Sequence, residues 1–241
     1  MVFNDELRKL YSDIRNCNIC SEMYREKALR STQAVNPNSD VFIICQAPAK
    51  QQVIKTGVQF FELQEKSGRN TVKLSSTGER LEAFLNKFER TLYPPQDIQV
   101  SNNLVIPKCK PGYLSVYSSD IVQCHPPGNR VPWQYEISEC ISKGYLTKEI
   151  ALMGPKLLLL MGKLSRDIVF RDFLDEKPSR NLSSHMSDII EAGKIPRYKL
   201  NKRTVFILPI YHASGQRRNQ FNTMANNEQI IRFIREALRI T

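Results

Sequence analysis

Four short apolar runs constrain this chain more than any other feature: "DVFIIC" (40–45), "SVYSSDIV" (115–122), "KLLLLM" (156–161) and "TVFILPI" (204–210). Each has the length and apolar content of a strand buried on both faces. Helix-period stretches separate them. In "GERLEAFLNKFERTL", Leu81, Phe84, Leu85, Phe88 and Leu92 fall on one helical face, and residues 3–16, 136–153 and 226–240 pattern likewise. Strands alternating with helices predict an α/β fold: a three-layer α/β/α arrangement around a central four-stranded parallel sheet. In such sheets ligands bind beyond the C-terminal strand ends. The chemistry collects there: "CQAPAK" follows the first strand, "CHPPGNR" the second, "GK" the third and "YHASGQRRN" the fourth.

With 241 residues, the chain suits a single domain over 1–241. Three stretches read as insertions outside the core, near 61–77, 94–113 and 174–203. They are positioned to shape the rim of a site. The excess of 35 basic over 24 acidic side chains gives a net charge of +11, which favours a polyanionic partner, nucleic acid before membrane. The first twenty residues lack a signal-type apolar stretch, and "LLLLMG" is too short for a bilayer span. The expectation is a cytoplasmic monomer without a membrane partner. In a reducing compartment, six cysteines read as free thiols or metal ligands.

Cys17 and Cys20 form a C-x2-C pair, and Cys124 and Cys140 lie at a strand end and on a helix. Four thiolates suit tetrahedral zinc or a [4Fe–4S] cluster, and spacing leaves both open. Cys45 reads as a small buried residue. Cys109 has no assignable role.

Taken in order, "CQAPA", "STGERLEAFL", "DIVQCHPPGNRVP" and "YHAS" resemble the uracil-DNA glycosylase superfamily, and the paired cysteines resemble its iron–sulfur branch, family 4. The resemblance implies a [4Fe–4S] cluster held by Cys17, Cys20, Cys124 and Cys140, with a structural role. It implies a monofunctional enzyme that flips a base out of DNA and hydrolyses its glycosidic bond. His212 would donate to the base carbonyl O2, and Asn129 would help position the attacking water. Gln46 and Ala47 would contact the base, and Phe60 would stack on it, with Phe61 the competitor one residue away. Ser214, Arg217 and Arg218 fall in the DNA-contacting loop, and Arg130 reads as a phosphate or loop contact. His125 and His185 match no family residue. Nor does Lys50 or Lys55 match a lyase lysine.

Two departures bear on the substrate. "CQAPAKQQV" carries glutamines where the family pattern has an acid. Asp120 stands where the family usually has an asparagine reading uracil O4 and N3–H. An ionised carboxylate only accepts hydrogen bonds, so it opposes a carbonyl and complements the N4 amino group of cytosine. Excising ordinary cytosine would be lethal. The expectation is therefore a modified cytosine, such as the hydroxymethylated or glucosylated cytosine of phage DNA, and a role in anti-phage defence. Ordinary uracil removal in base excision repair is the alternative, and a non-catalytic iron–sulfur DNA-binding protein is a third reading.

Overall fold

The structure, a computed structural model, describes residues 2–20, 32–50, 56–66, 69–101, 104–178, 181–200 and 202–240. Helix α1 (Val2–Asn16) precedes strand β1 (Val41–Cys45). A hairpin of β2 (Phe61–Lys66) and β3 (Arg69–Leu74) leads into helix α2 (Ser76–Leu85). Short strands β4 (Arg90–Thr91), β5 (Ile98–Ser101), β6 (Leu104–Ile106) and β7 (Leu114–Ser115) come next, then β8 (Tyr117–Asp120). Helices α3 (Gln134–Ser142) and α4 (Tyr145–Met153) lead to β9 (Leu157–Met161). Helices α5 (Lys163–Ile168) and α6 (Leu182–Glu191) precede β10 (Arg197–Leu200) and β11 (Arg203–Ile210). Helices α7 (Arg218–Ala225) and α8 (Glu228–Leu238) complete the described chain.

The main sheet runs β10-β11-β9-β1-β8. The four expected strands pair in parallel, in the register Cys45↔Asp120, Ile44↔Leu160 and Leu160↔Pro209. Strand period sorts the side chains into two cores. Ile43, Leu159 and Leu208 pack with α2, α6, α7 and α8, whereas Phe42, Leu158 and Ile207 pack with α1, α3 and α4. The three-layer expectation holds. The sheet has five strands, not four, because β10 pairs antiparallel on the edge of β11. Its segment, "RYKL", is mostly polar and short, as an edge strand can be.

The three stretches expected to be insertions contribute to the core: Phe61 and Leu74 of the first, Ile98 and Ile106 of the second, and Met186, Ile189 and Ile195 of the third are buried there. Two helices were read too long. Residues 136–153 divide at Gly144, whose φ of 65° ends α3 and restarts the chain as α4. α2 stops at Leu85, a 3-10 turn follows, and Glu89 at φ 59° turns the chain into β4, so Leu92 is not helical. The run 115–122 likewise ends as a strand at Asp120. No helix among the described residues is long and apolar enough to cross a membrane.

Candidate active site and cysteine cavity

Chain order places the crevice. From β1 the chain moves to β8 on one side, then crosses to β9 on the other, so the switch point lies beyond β1 and β9. Gln46 and Ala47, both half-buried, leave β1 there. Beside them Gly162 ends β9, and a Cβ at that glycine would come within 3.8 Å of the His212 side chain. His212 follows β11, and Asp120 closes β8, so the two stand at opposite ends of a row of four strands. At ladder spacing that is about 14 Å between backbones, room for a planar base between them.

The β1 and β8 loops are fastened together past the sheet. Ile121 N–H donates to Cys45 O at 2.9 Å and Val122 N–H to Gln46 O at 3.1 Å. His125 adds Nδ1–H to Pro48 O at 2.9 Å from a site only 2% exposed. A carbonyl only accepts, so this ring carries its proton on Nδ1. His125, without an assigned role in the sequence, is the staple between the two loops.

Asp120 is 1% exposed, and Gln59 Nε2 donates to its Oδ1 at 2.9 Å. The opposite amide orientation would set oxygen against oxygen, so Gln59 faces Asp120 through its NH2. Gln59 Oε1 is buried without a partner among the described residues. Sequence reasoning passed over Gln59. It stands on a turn that Thr56 ties down by donating to Val58 O at 3.0 Å and Phe61 O at 3.2 Å. Phe60 follows in the left-handed region (φ 69°), 3% exposed, its carbonyl taken by Ser75 N–H at 2.8 Å. Phe60 and Phe61 both belong to the buried core, and Phe61 lies edge-on to Tyr93 at 5.4 Å. Of the two aromatics, Phe60 adjoins the Asp120 partner.

His212 is half-buried, and burial holds its imidazole below the ordinary value. Ser214 N–H approaches Nδ1 at 3.3 Å and Ser214 Oγ lies 2.8 Å away. A backbone N–H can only donate, so Nδ1 accepts and the proton sits on Nε2. The ring is thus a neutral Nε2–H donor. Arg80 of α2 supports the loop, donating to Ala213 O at 2.8 Å and to Ser76 O at 2.9 Å. Arg217 and Arg218 are exposed at the start of α7.

Asn129 is exposed at φ 56° on the Pro127–Asn129 turn, with Gly128 at φ 65° before it. Arg130 is engaged in the protein: Nη1 and Nη2 reach Glu136 at 2.8 and 2.5 Å, and the guanidinium lies 3.7 Å from the Trp133 ring centroid. Lys50 is exposed, and Lys55 lies outside the described residues, as do Gln52 and Val53 of the departed loop motif.

Cys17, Cys20, Cys124 and Cys140 wall one cavity with Ile14, Gln123 and Tyr145. Burial pushes the Cys140 thiol up to about 11; the Gln123 backbone opposes the rise, and Cys20, Cys17 and Glu136 add to it. Burial, Glu136, Cys17 and Glu139 raise Cys20 too. Metals bind thiolates, and a cationic group between these sulfurs would remove that penalty, so the donor set fits a metal centre. No group of three or more His, Cys, Asp or Glu among the described residues is arranged around a single ion. Gln123 touches both sites: it lines this cavity while its Nε2 donates to Asp120 O at 2.7 Å. Beneath, the fully buried Glu149 accepts from Tyr117 Oη at 2.6 Å and from Ser119 Oγ, anchoring β8 to α4. Cys45 is buried in the core, and Cys109 Sγ lies 3.7 Å from Tyr113 O. His185 packs edge-on to Phe170 at 5.0 Å, away from these groups.

Residues 32–239 match the family described as the uracil DNA glycosylase superfamily. The chain belongs to this superfamily. The match takes in every strand of the main sheet and the loops that carry Asp120, Asn129 and His212, whereas Cys17 and Cys20 precede it. Two curated proteins called Type-4 uracil-DNA glycosylase are similar. That of Sulfurisphaera tokodaii is 29% identical over 100 residues, 42% of this chain and 41% of the relative. That of Saccharolobus solfataricus is 26% identical over 101 residues, 42% of each. The chain thus covers less than half the length of these relatives. Two groups at the strand ends have a defined hydrogen-bonding sense: His212 offers Nε2–H, and Asp120 accepts from Gln59.

Proposed function

We propose that this chain is a monofunctional DNA glycosylase whose target is a cytosine carrying a C5 modification, hydroxymethylated or glucosylated as in some phage DNA, and that it acts in anti-phage defence. The observation that carries the target is the Gln59–Asp120 pair. Gln59 donates to Asp120 Oδ1, so the carboxylate acts as an acceptor there, and Gln59 Oε1 is a second buried acceptor with no partner among the described residues. An amino group supplies two donors and suits such an environment, whereas a carbonyl supplies none. A cell cannot excise its own cytosine, so the acceptable amino-bearing target is a foreign, modified one. The β2–β3 hairpin, which starts at Phe61, offers a rim for a C5 substituent.

In the reaction, the flipped base leaves as an anion while positive charge grows on the sugar. Neutral His212 would donate from Nε2 to the O2 of that anion, a stabilisation of the oxyanion-hole kind. Asn129, able to donate and accept, would orient the incoming water. Gln46 and Ala47 would contact the base at the switch point, Phe60 would stack on it, and Ser214, Arg217, Arg218 and the wider positive charge would meet DNA phosphates. Cys17, Cys20, Cys124 and Cys140 would hold a [4Fe–4S] cluster, which would supply a structural tie between the N-terminus and the site loops. The enzyme would work as a cytoplasmic monomer.

Uracil removal is the second reading, favoured by the similarity to the two Type-4 uracil-DNA glycosylases. A substrate panel decides between them: duplexes carrying uracil, cytosine, hydroxymethylcytosine or glucosylated hydroxymethylcytosine, scored for abasic sites. Release of the modified cytosine alone is the expected result. Robust uracil release with no cytosine-type release would sink the proposal. A third reading, DNA binding without catalysis, predicts no abasic sites on any of the four.

A further inference from the structure

Among the described residues, five large apolar side chains are exposed; Ile19 and Val105 stand apart, and the other three fall together in one short stretch. Val131 is 61% exposed, Trp133 46% and Tyr135 48%. They follow Asn129 directly and lead into α3, so this surface continues from the loop expected to hold the attacking water. Trp133 is the only tryptophan in the chain.

These rings are held rather than loose. The Arg130 guanidinium stacks 3.7 Å from the Trp133 ring centroid. That guanidinium is fixed in turn by its paired bonds to Glu136, which is fully buried and also accepts from Trp133 N–H at 2.6 Å. Burial alone would raise the Glu136 carboxyl, but the Arg130 and Trp133 bonds outweigh it and hold the group below its usual range. Tyr135 adjoins at 5.7 Å between centroids, tilted by 39°. A side chain so well anchored from below and so exposed above offers a π surface at little entropic cost.

We propose that Trp133 and Tyr135 form a stacking ledge for unpaired nucleobases of the DNA strand that flanks the flipped nucleotide. The inference rests on the DNA reading of the site, not on the identity of the target base. Its partner is chosen by chemistry. A chain of net charge +11 draws a polyanion, and within a polyanion only an unpaired base offers a flat apolar face to an exposed ring. A paired base in a continuous stack has no free face. The ledge therefore selects DNA that is single-stranded or locally opened beside the lesion.

The test uses the intact protein, with any bound cluster, and Trp133 as its own reporter. Two single-stranded probes of equal length are titrated: oligothymidylate, which contains no cytosine, and an abasic deoxyribose-phosphate chain of the same charge. Oligothymidylate is expected to quench the Trp133 emission and to bind about tenfold more tightly than the abasic chain, as stacking of a base on an aromatic side chain implies. Trp133→Ala should erase the preference while leaving abasic-chain affinity and melting temperature near the parent. If that variant does not fold, Tyr135→Ala together with wild-type quenching carries the comparison. Equal affinity for both probes with unquenched emission overturns the ledge and leaves phosphate-driven DNA binding standing. Binding to neither probe overturns the ledge and the DNA reading together.

Discussion

At position 120 the proposed target turns on a single atom pair. Asp120 Oδ1 already accepts from Gln59 Nε2 at 2.9 Å. In Asp120→Asn that fixed donor would hold the new side-chain oxygen, leaving the NH2 for the pocket. The variant is expected to lose about 10- to 100-fold in excision of modified cytosine and to gain uracil excision, measured as kcat/KM on matched duplexes. His212→Ala should lower single-turnover cleavage by about 10²–10³ while leaving DNA affinity nearly unchanged. The same ring sets a pH dependence. Its folded value lies below the ordinary 6.5 because of burial. As pH falls, the unfolded chain takes the proton first, so the stability tied to the neutral ring is intact above that value and shrinks below it. Protonation would also oppose the Ser214 N–H donor at Nδ1. Cleavage should hold through neutral pH and fall along an acid limb set below the usual imidazole range, in a profile that His212→Ala flattens. The sequence motifs singled out His212, Asn129 and Asp120, because each lies in a strand-end segment or loop with local character. Gln59 and Arg80 were not legible. Their partners lie 61 and 133 residues away, and no local pattern marks a contact of that range.

Elements were legible where burial is two-sided. The four parallel strands announced themselves as unbroken apolar runs, whereas β10, β5 and β6 did not, since an edge or hairpin strand needs apolar side chains on one face only. Hence the three stretches read as peripheral, although Phe61, Ile98 and Ile195 anchor them in the core. Helix ends were misjudged for a related reason: Gly144 and Glu89 break the pattern through left-handed backbone while the apolar spacing runs on across them. At this scale α2 meets the backbone of the Phe60 turn closely. A Cβ at Gly78 would lie 2.8 Å from Phe60 O. Gly78→Ala is expected to cost about 1–3 kcal/mol and to shift the Gln59–Phe60 segment. The check is a lowered melting temperature together with a lower kcat on the preferred duplex.

The whole molecule is basic, with a net charge of +11, and its four-cysteine cavity adjoins the loop that follows β8. DNA binding should therefore weaken steeply with salt, with a slope near −0.9 per phosphate engaged on duplex DNA. Arg217→Ala and Arg218→Ala together should flatten that slope without altering the relative excision of the four bases. The cysteine cavity gives a separate expectation. Purified without oxygen, the protein should be brown and carry iron and sulfide. Chelation or Cys140→Ser should bleach it and lower the melting temperature, because the N-terminal helix and the β8 loop would lose their common tie. A colourless preparation containing zinc would replace the cluster with a single ion.

The Gln59 donor has a consequence for inheritance. Aspartate and asparagine codons differ by one G-to-A transition, the change that an unrepaired deaminated cytosine leaves behind. With Gln59 already oriented to receive either side chain, a defence enzyme and a repair enzyme would be adjacent genotypes, reachable without a non-functional intermediate. The lineage could cross that boundary in either direction by a single event, and its history would be recorded at position 120 while the surrounding scaffold stayed the same.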